Sequence, residues 1–541
     1  MTSAAWQHVT DSEPARAVLY RGGHIHSAAH PRATALLTAR DGTIAWIGTA
    51  DDADEIAAAP GDRVDAVADL AGALLAPAFV DAHLHATATG LALGGLDLAA
   101  APTLRAALDA VAAAASAGAA TLLGTGWDET RWPEQRPPTA AELEMAAGDR
   151  FVYLARVDGH SAVVSGKLAA ASGASLLAGW LGDGLCRGDA HHAARSTAYD
   201  TITPGQRTDA WRRLRATAAA LGIAALHEMA GPEVSSADDL AALLAHAATE
   251  PGPLIAGYWA GDAAVLDDLD PGGRLAVGLG GDVFVDGSIG SHTAALRAPY
   301  ADRPGHRPPP LLDAHAVATT VLTALATGRQ PGFHAIGDAA IDVVLAGLDA
   351  AATAGAARVA ATRPRVEHCV LAHPDQITRL AAHGAVAVVQ PAFDTHWGGP
   401  AGLYATRLGA DRAAAINPFA ALAAAGVGLA LSSDAPVTPL DPWASIRAAV
   451  GHHTPAARLT LPAAFTAATR GGWHAARADT DGHGTLAPGH PATFAVWDLP
   501  AGLAHLPGHP PLPDLTGPDP VCLRTVARGR TLYDATTGNG Q

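Results

Sequence analysis

Eight times between Leu75 and Pro436 an apolar run ends on polar, chemistry-bearing residues. The segments are LAPAFVDAHLH (75–85), IAALHEM (223–229), LIAGYWA (254–260), DVFVDGS (282–288), GFHAIGD (332–338), RVEHCVL (365–371), AVAVVQP (385–391) and GLALSSDAP (428–436). Runs of this kind suit strands covered on both faces. Each gap beyond Met229 is long enough for a crossover helix, with DVVLAGLDAAATAG (342–355) and DQITRLAAHG (375–384) as candidates. The rhythm predicts an α/β fold, a closed (β/α)8 TIM-like barrel whose C-terminal strand ends carry the site.

Both flanks read differently. From Ala17 to Leu75, and again over GTLAPGHPATFAVWDLP (484–500) and VCLRTVARGRTLYD (521–534), short apolar runs alternate with Gly and Asp turns. Segments 1–75 and 484–541 therefore read as a small β-sandwich formed by both termini, around a barrel at 76–483. The stretch between the first two strands exceeds what one helix needs and reads as an inserted subdomain, about 96–210, over the barrel mouth. The Pro/His-rich segment 499–520 reads as a surface loop.

A net charge of -17 with scattered basic residues argues against a nucleic-acid partner and against an anionic membrane surface. Cys186, Cys369 and Cys522 lie far apart, which predicts neither a disulfide framework nor a thiolate metal site. The first thirty residues show no basic start and no apolar run, so no signal peptide is expected. The Ala-rich stretch 110–123 reads as a helix running into a strand. A soluble, cytoplasmic protein acting on a small molecule is the expectation, with a homodimer left open.

His83 and His85 flank Leu84 at the end of the first strand, and period-two geometry puts both imidazoles on one face. His334, His368 and Asp434 end the fifth, sixth and eighth strands, and in a closed barrel these ends converge. Any one of these histidines alone would read as a hydrogen-bonded barrel residue. Together, four imidazoles and a carboxylate call for a divalent metal, zinc first, with Mn, Fe or Co open.

The motifs PAFVDAHLH, GWDETRW, RVDGHSAVVSGKLA, FVDGSIGSHTAAL (284–296), FHAIGDAAIDVVL, RVEHCVL, VVQPAF, ALSSDAPVTPLDPW and GTLAPGHPATFAVWD span nearly the whole chain in order. In these the sequence resembles the amidohydrolase superfamily, and within it amidohydrolase family 3, the YtcJ-like branch that includes N-substituted formamide deformylases. The resemblance implies a TIM-like barrel, a β-sandwich from both termini and hydrolysis of a C–N bond. It also implies a fourth-strand lysine that bridges two metals as its carbamate. Asp282 stands there instead, and Lys167, the only lysine, lies in the insertion. Either Asp282 bridges with a shorter carboxylate or the site is mononuclear. The short reach of Asp282 favours one metal on His83, His85, His334 and Asp434, with His368 as ligand or as partner of the metal water, and Asp282 hydrogen-bonded to a neighbour or turned away. His292 stands where the family usually has Arg.

In that frame Asp434 is the expected acid/base, and His368 or His334 the expected oxyanion partner. Asp338 and Glu367 could orient the metal histidines, or be a helix N-cap and a strand-end salt bridge. Trp127, Asp128, His160, Asp286, Ser288, Gln390 and His453 are candidate substrate contacts, although Trp127 could equally be packing. His191–His192 and His452–His453 read as solvated loop pairs. The activity expected is hydrolysis of an amide or formamide of a small molecule. Heterocycle deamination, lactone or ester hydrolysis, and a non-catalytic binding barrel are the alternatives.

Overall fold

A computed structural model of the chain describes residues 15–58, 64–118, 120–269, 276–353 and 355–536. At its centre lie β1 (Phe79–Leu84), β2 (Ile223–Ala230), β3 (Leu254–Trp259), β4 (Ala276–Leu279), β5 (Gln330–Ala335), β6 (Arg365–His368), β7 (Val386–Val389) and β8 (Gly428–Leu431). These eight strands pair in chain order, all parallel. The ring closes just past its last strand. There Asp434 N–H donates to His83 O and His85 N–H to Ala435 O, each at 2.9 Å. Closure itself thus sets Asp434 against His83 and His85.

Every residue of β1, β2 and β5 is buried. One strand face fills the barrel and the other meets a helix, so apolar residues run on without alternating. In the helix Asp338–Ala352, Ile341, Val344, Leu345 and Leu348 recur at helical spacing and are buried. Burying side chains of this size contributes about 1.5–3 kcal/mol each. The helix Pro204–Ala220, which leads into β2, begins with Pro in its first turn and a Thr203–Gln206 capping box.

The fourth strand departs from the sequence reading. DVFVDGS (282–288) is not the strand itself; β4 ends at Leu279. Gly280 and Gly281, at φ 129° and 91°, break it. A Cβ on Gly280 would lie 2.2 Å from Gly332 O, so only glycine lets the chain turn inward there. Beyond the break the backbone runs on beside β5, with Val285 N–H to His334 O and His334 N–H to Val283 O, both 3.0 Å.

Strands from both ends of the chain share one five-stranded sheet, ordered 24–25, 74–77, 494–498, 521–527, 530–534. A four-stranded N-terminal sheet packs on it through Tyr20, Leu36, Ile44, Phe494 and Val526. The first fourteen and last five residues lie outside the described part. Trp497 joins this body to the barrel floor. Its ring lies 5.4 Å from Phe79 and 5.3 Å from Trp443, in geometries that add about 0.5–1.5 kcal/mol per pair.

Between β1 and β2 the chain builds a separate six-stranded sheet from strands within 96–187, flanked by helices including Leu104–Ser116 and Gly188–Tyr199. Segment 499–520 has no helix or strand and is tied to the barrel by Arg447, which bonds Leu515 O and Gly517 O. Among the described residues no helix is long and apolar enough to cross a membrane.

Candidate metal centre and substrate cavity

Four imidazoles meet at the C-terminal mouth of the barrel, each anchored by one ring nitrogen with the other aimed inward. His83 Nδ1 donates to Glu367 Oε2 at 2.8 Å, and His85 Nδ1 to Met229 O at 3.1 Å. His368 Nδ1 donates to Gln390 Oε1 at 2.9 Å, while Gln390 Nε2 donates to Ser432 Oγ at 2.9 Å. His334 Nε2 faces Gly287 O at 3.4 Å. A second partner of this kind fixes the tautomer and ring plane of a metal-binding histidine.

The inward atoms converge on two carboxylates. Asp434 Oδ1 lies 3.4 Å from His83 Nε2 and 3.2 Å from His85 Nε2. Asp282 Oδ1 lies 3.6 Å from His83 Nε2, 3.4 Å from His334 Nδ1 and 3.9 Å from His368 Nε2, and its Oδ2 lies 3.4 Å from His85 Nε2. His83 Nε2, Asp282 Oδ1 and Asp434 Oδ1 are buried without a hydrogen-bond partner. Polar atoms are seldom left so in a folded protein. Two overlapping sets, His83–His85–Asp434 and His83–Asp282–His368, bring donor atoms within 4.8 Å of one another. The donor set fits a divalent cation.

Electrostatics agree. Burial alone would raise both carboxyls, but His83 and its imidazole neighbours hold Asp282 and Asp434 well below the usual carboxylate range. Against the opposing effect of burial, Asp282 and Asp434 draw His83 well above the ordinary imidazole value, so the cluster attracts positive charge. Glu367 is held at about 2: Arg365, bonded to it at 2.7 Å, and His83 outweigh its burial. His368 and Asp434 adopt φ of 70° and 56°, a region that costs non-glycine residues of order 1–3 kcal/mol and clusters at functional sites.

Contrary to the expectation from its short side chain, Asp282 reaches the imidazoles. Its carboxylate points into the centre, because the Gly280–Gly281 break carries its backbone inward. Glu367 accepts from His83 Nδ1 and also pairs with Arg365. Asp338 does not orient a metal-face histidine: it accepts from Arg297 N–H at 2.7 Å and pairs with His373 at 3.1 Å.

A cavity opens from this cluster, lined by His85, Asp282, His334, His368 and Asp434 on the barrel side. The insertion supplies Tyr153, Asp158, His160, His192, Arg195 and Tyr199 on the other. His160, whose ring lies 5.4 Å from that of His334, is at the site as expected. Ser288 lines an adjoining lobe and donates to Asp158 Oδ2 at 3.0 Å; Ser291 donates to the same oxygen at 2.7 Å. Arg156 lies 3.1 Å from Asp158, and this hub pins the insertion to the barrel.

Other expected substrate contacts are internal. Trp127 is buried in the insertion core with its indole N–H on Leu154 O at 2.7 Å, and Asp128 bonds Thr130 and Arg156. Asp286 accepts from the amides of Ala295, Ile336 and Gly337, which holds the mouth loop in shape. Gln390 positions His368. His292 pairs with Asp302 at 3.0 Å, and His453 with Asp394 at 2.9 Å. His191 and His192 lie on a helix, the first buried and the second facing the cavity, whereas the second pair lies in a loop with His452 buried and His453 exposed. Sequence reading missed Tyr153, Asp158, Arg195 and Tyr199. The signal for two of them was present: His192, Arg195 and Tyr199 follow at three- and four-residue spacing, one face of a helix.

A (β/α)8 barrel with imidazoles and carboxylates gathered at its strand ends defines a metal-dependent hydrolase. The chain belongs to the amidohydrolase family, whose model matches residues 66–533, and is a hydrolase of carbon–nitrogen bonds. It is 28% identical over 477 residues to Protein LONG AFTER FAR-RED 3 of Arabidopsis thaliana, covering 80% of this chain and 79% of that one. It is 25% identical over 407 residues to YtcJ of Bacillus subtilis (strain 168), an amidohydrolase by name, covering 70% and 74%. The crystal structure of an uncharacterized metal-dependent hydrolase from Pyrococcus furiosus superimposes with a TM-score of 0.70 at 25% identity, covering 88% of this chain and 98% of that one.

Proposed function

We propose that one divalent ion, zinc before Mn, Fe or Co, would be held by part of the cluster of His83, His85, His334, His368, Asp434 and Asp282, with a position left open for water, and that the chain hydrolyses an amide or formamide of a small molecule. The observation that carries this reading is the convergence of three buried atoms without partners, His83 Nε2, Asp282 Oδ1 and Asp434 Oδ1. The two donor sets share His83, which supports a single ion.

The ion, when bound, supplies Lewis acidity that activates water near neutral pH and polarises a carbonyl. The remaining work falls to side chains. Asp434, ionised in its pocket, takes the proton of the attacking water and returns it to the leaving nitrogen, because an amide nitrogen departs only when protonated. Gln390 holds His368, and Glu367 with Arg365 holds His83, so the mouth of the barrel needs little rearrangement as charge develops. His160 and Tyr153 form part of the covering wall that limits water around the carbonyl.

The test is chelation followed by add-back. Dialysis against a strong chelator abolishes hydrolysis of a panel of N-formyl and N-acyl amines, and Zn or Mn restores it with release of the free amine. Hydrolysis that survives exhaustive chelation would refute the reading, and release of ammonia alone would indicate a deaminase.

A further inference from the structure

The wall opposite the proposed metal centre carries a cation that hydrolysis of a simple amide does not use. Arg195 lies on the helix Gly188–Tyr199, on the face that also presents His192 and Tyr199 to the cavity. Its Nη2 is buried with no hydrogen-bond partner, and no salt bridge to Arg195 forms among the described residues. The carboxylates of the same cavity, Asp158, Asp282 and Asp434, form no ion pair with it, and its neighbouring imidazoles are uncharged. His191 Nε2 meets the Tyr153 hydroxyl at 2.7 Å. Burial first, then Arg195, pushes His191 well below the ordinary imidazole value and His192 down to about 3, so both are neutral at pH 7. A guanidinium stays charged throughout. Left partly buried without an anion it is unfavourable, and its planar fork of donors matches a carboxylate.

A second lobe has the opposite character. It opens on the same Asp158, His160, His368 and Asp434, but its far wall is Ile289, Phe393, Trp397, Leu403 and Tyr404. The reaction centre thus lies between a lone guanidinium and an aromatic, apolar lobe.

Building on the proposed hydrolase reading, we infer that the substrate is an N-acyl amino acid or close analogue. Its carboxylate is bound by Arg195, and its apolar acyl group fills the lobe of Phe393, Trp397, Leu403 and Tyr404. Water adds to the amide carbonyl and the C–N bond breaks. The water's proton passes through Asp434 to the nitrogen, which leaves a carboxylic acid and a free amino acid. The bond order balances with water as the only co-reactant.

The test is calorimetric binding to the zinc-loaded full chain of a pair that cannot be hydrolysed, N-(phenylmethanesulfonyl)glycine and its uncharged glycinamide. The carboxylate binds at least about tenfold more tightly to the native chain. Arg195→Met weakens the carboxylate about ten- to hundredfold, the weight of a hydrogen bond to a charged group, and leaves the glycinamide unchanged. Arg195→Lys recovers part of the loss. Equal affinities in the native chain, undetectable carboxylate binding, or equal losses for both probes in Arg195→Met would overturn the assignment. Hydrolysis of N-(3-phenylpropanoyl)glycine is read separately. Its absence beside intact carboxylate selectivity would refute the hydrolase reading while leaving Arg195 as the anion site.

Discussion

The two walls of one cavity are out of balance in opposite senses. On the barrel side Asp282 and Asp434 lie buried among imidazoles of which His83 Nε2 has no partner, while His334 Nδ1 and His368 Nε2 meet each other at 3.0 Å. On the insertion side Arg195 lies among neutral imidazoles and phenols and, among the described residues, forms no ion pair with a carboxylate. Buried charge without a partner is expensive enough that folded chains retain it chiefly where something else binds. The first wall is built to take a cation, and the second an anion. They also differ in stiffness. Each barrel residue follows a strand in a closed hydrogen-bonded ring, whereas Arg195 sits on a helix of a subdomain held to the barrel by the Asp158 hub.

The largest expected effect falls on the barrel wall. His83→Ala loses bound metal and hydrolysis together, read by elemental analysis beside turnover. Retained metal with lost turnover would make His83 a substrate residue instead. Asp434→Asn keeps most of its metal and loses roughly 10²–10⁴-fold in turnover, the weight of a general acid/base; near-native turnover would place the proton transfer elsewhere. Gln390→Ala touches neither ion nor substrate, yet it frees the His368 ring. About 10–100-fold in metal affinity or activity is expected, the usual effect of removing a ligand's outer partner. No change in either quantity would show that the ring is held by packing alone.

The smallest effect belongs to the insertion wall and is read in stability. His192 has a folded value near 3 and an ordinary unfolded one, so protonation favours the unfolded chain. The native state is unaffected above about pH 6.5 and loses stability as pH falls below it, by up to about 2 kcal/mol at pH 5 for one such imidazole. His192→Asn therefore melts less steeply with falling pH than the native chain. Parallel melting curves for the two would mean that His192 is solvated.

The barrel wall was legible in the sequence because its logic is local. A strand of period two ends at His83 and His85, and strand ends in a barrel converge, so His334, His368 and Asp434 followed. The position of Asp282 was not legible, since it depends on a two-glycine break that ends β4 at Leu279 and turns the next residue inward. Asp286, Trp127 and Asp128 looked like contacts because polar or aromatic residues near a mouth invite that reading. Three backbone amides, a buried indole pocket and Arg156 claim them instead. The spacing of His192, Arg195 and Tyr199 marks one helix face, but that this face meets the centre depends on the packing of the insertion over the barrel, which no local pattern encodes.

The most direct test of the barrel wall's role is metal content per chain, measured after gel filtration for the native protein and Asp282→Ala grown with added zinc. The account predicts close to one equivalent in the native chain and a clear loss in Asp282→Ala at unchanged fold by circular dichroism. A native chain without metal, or an Asp282→Ala chain with native metal content, would contradict it.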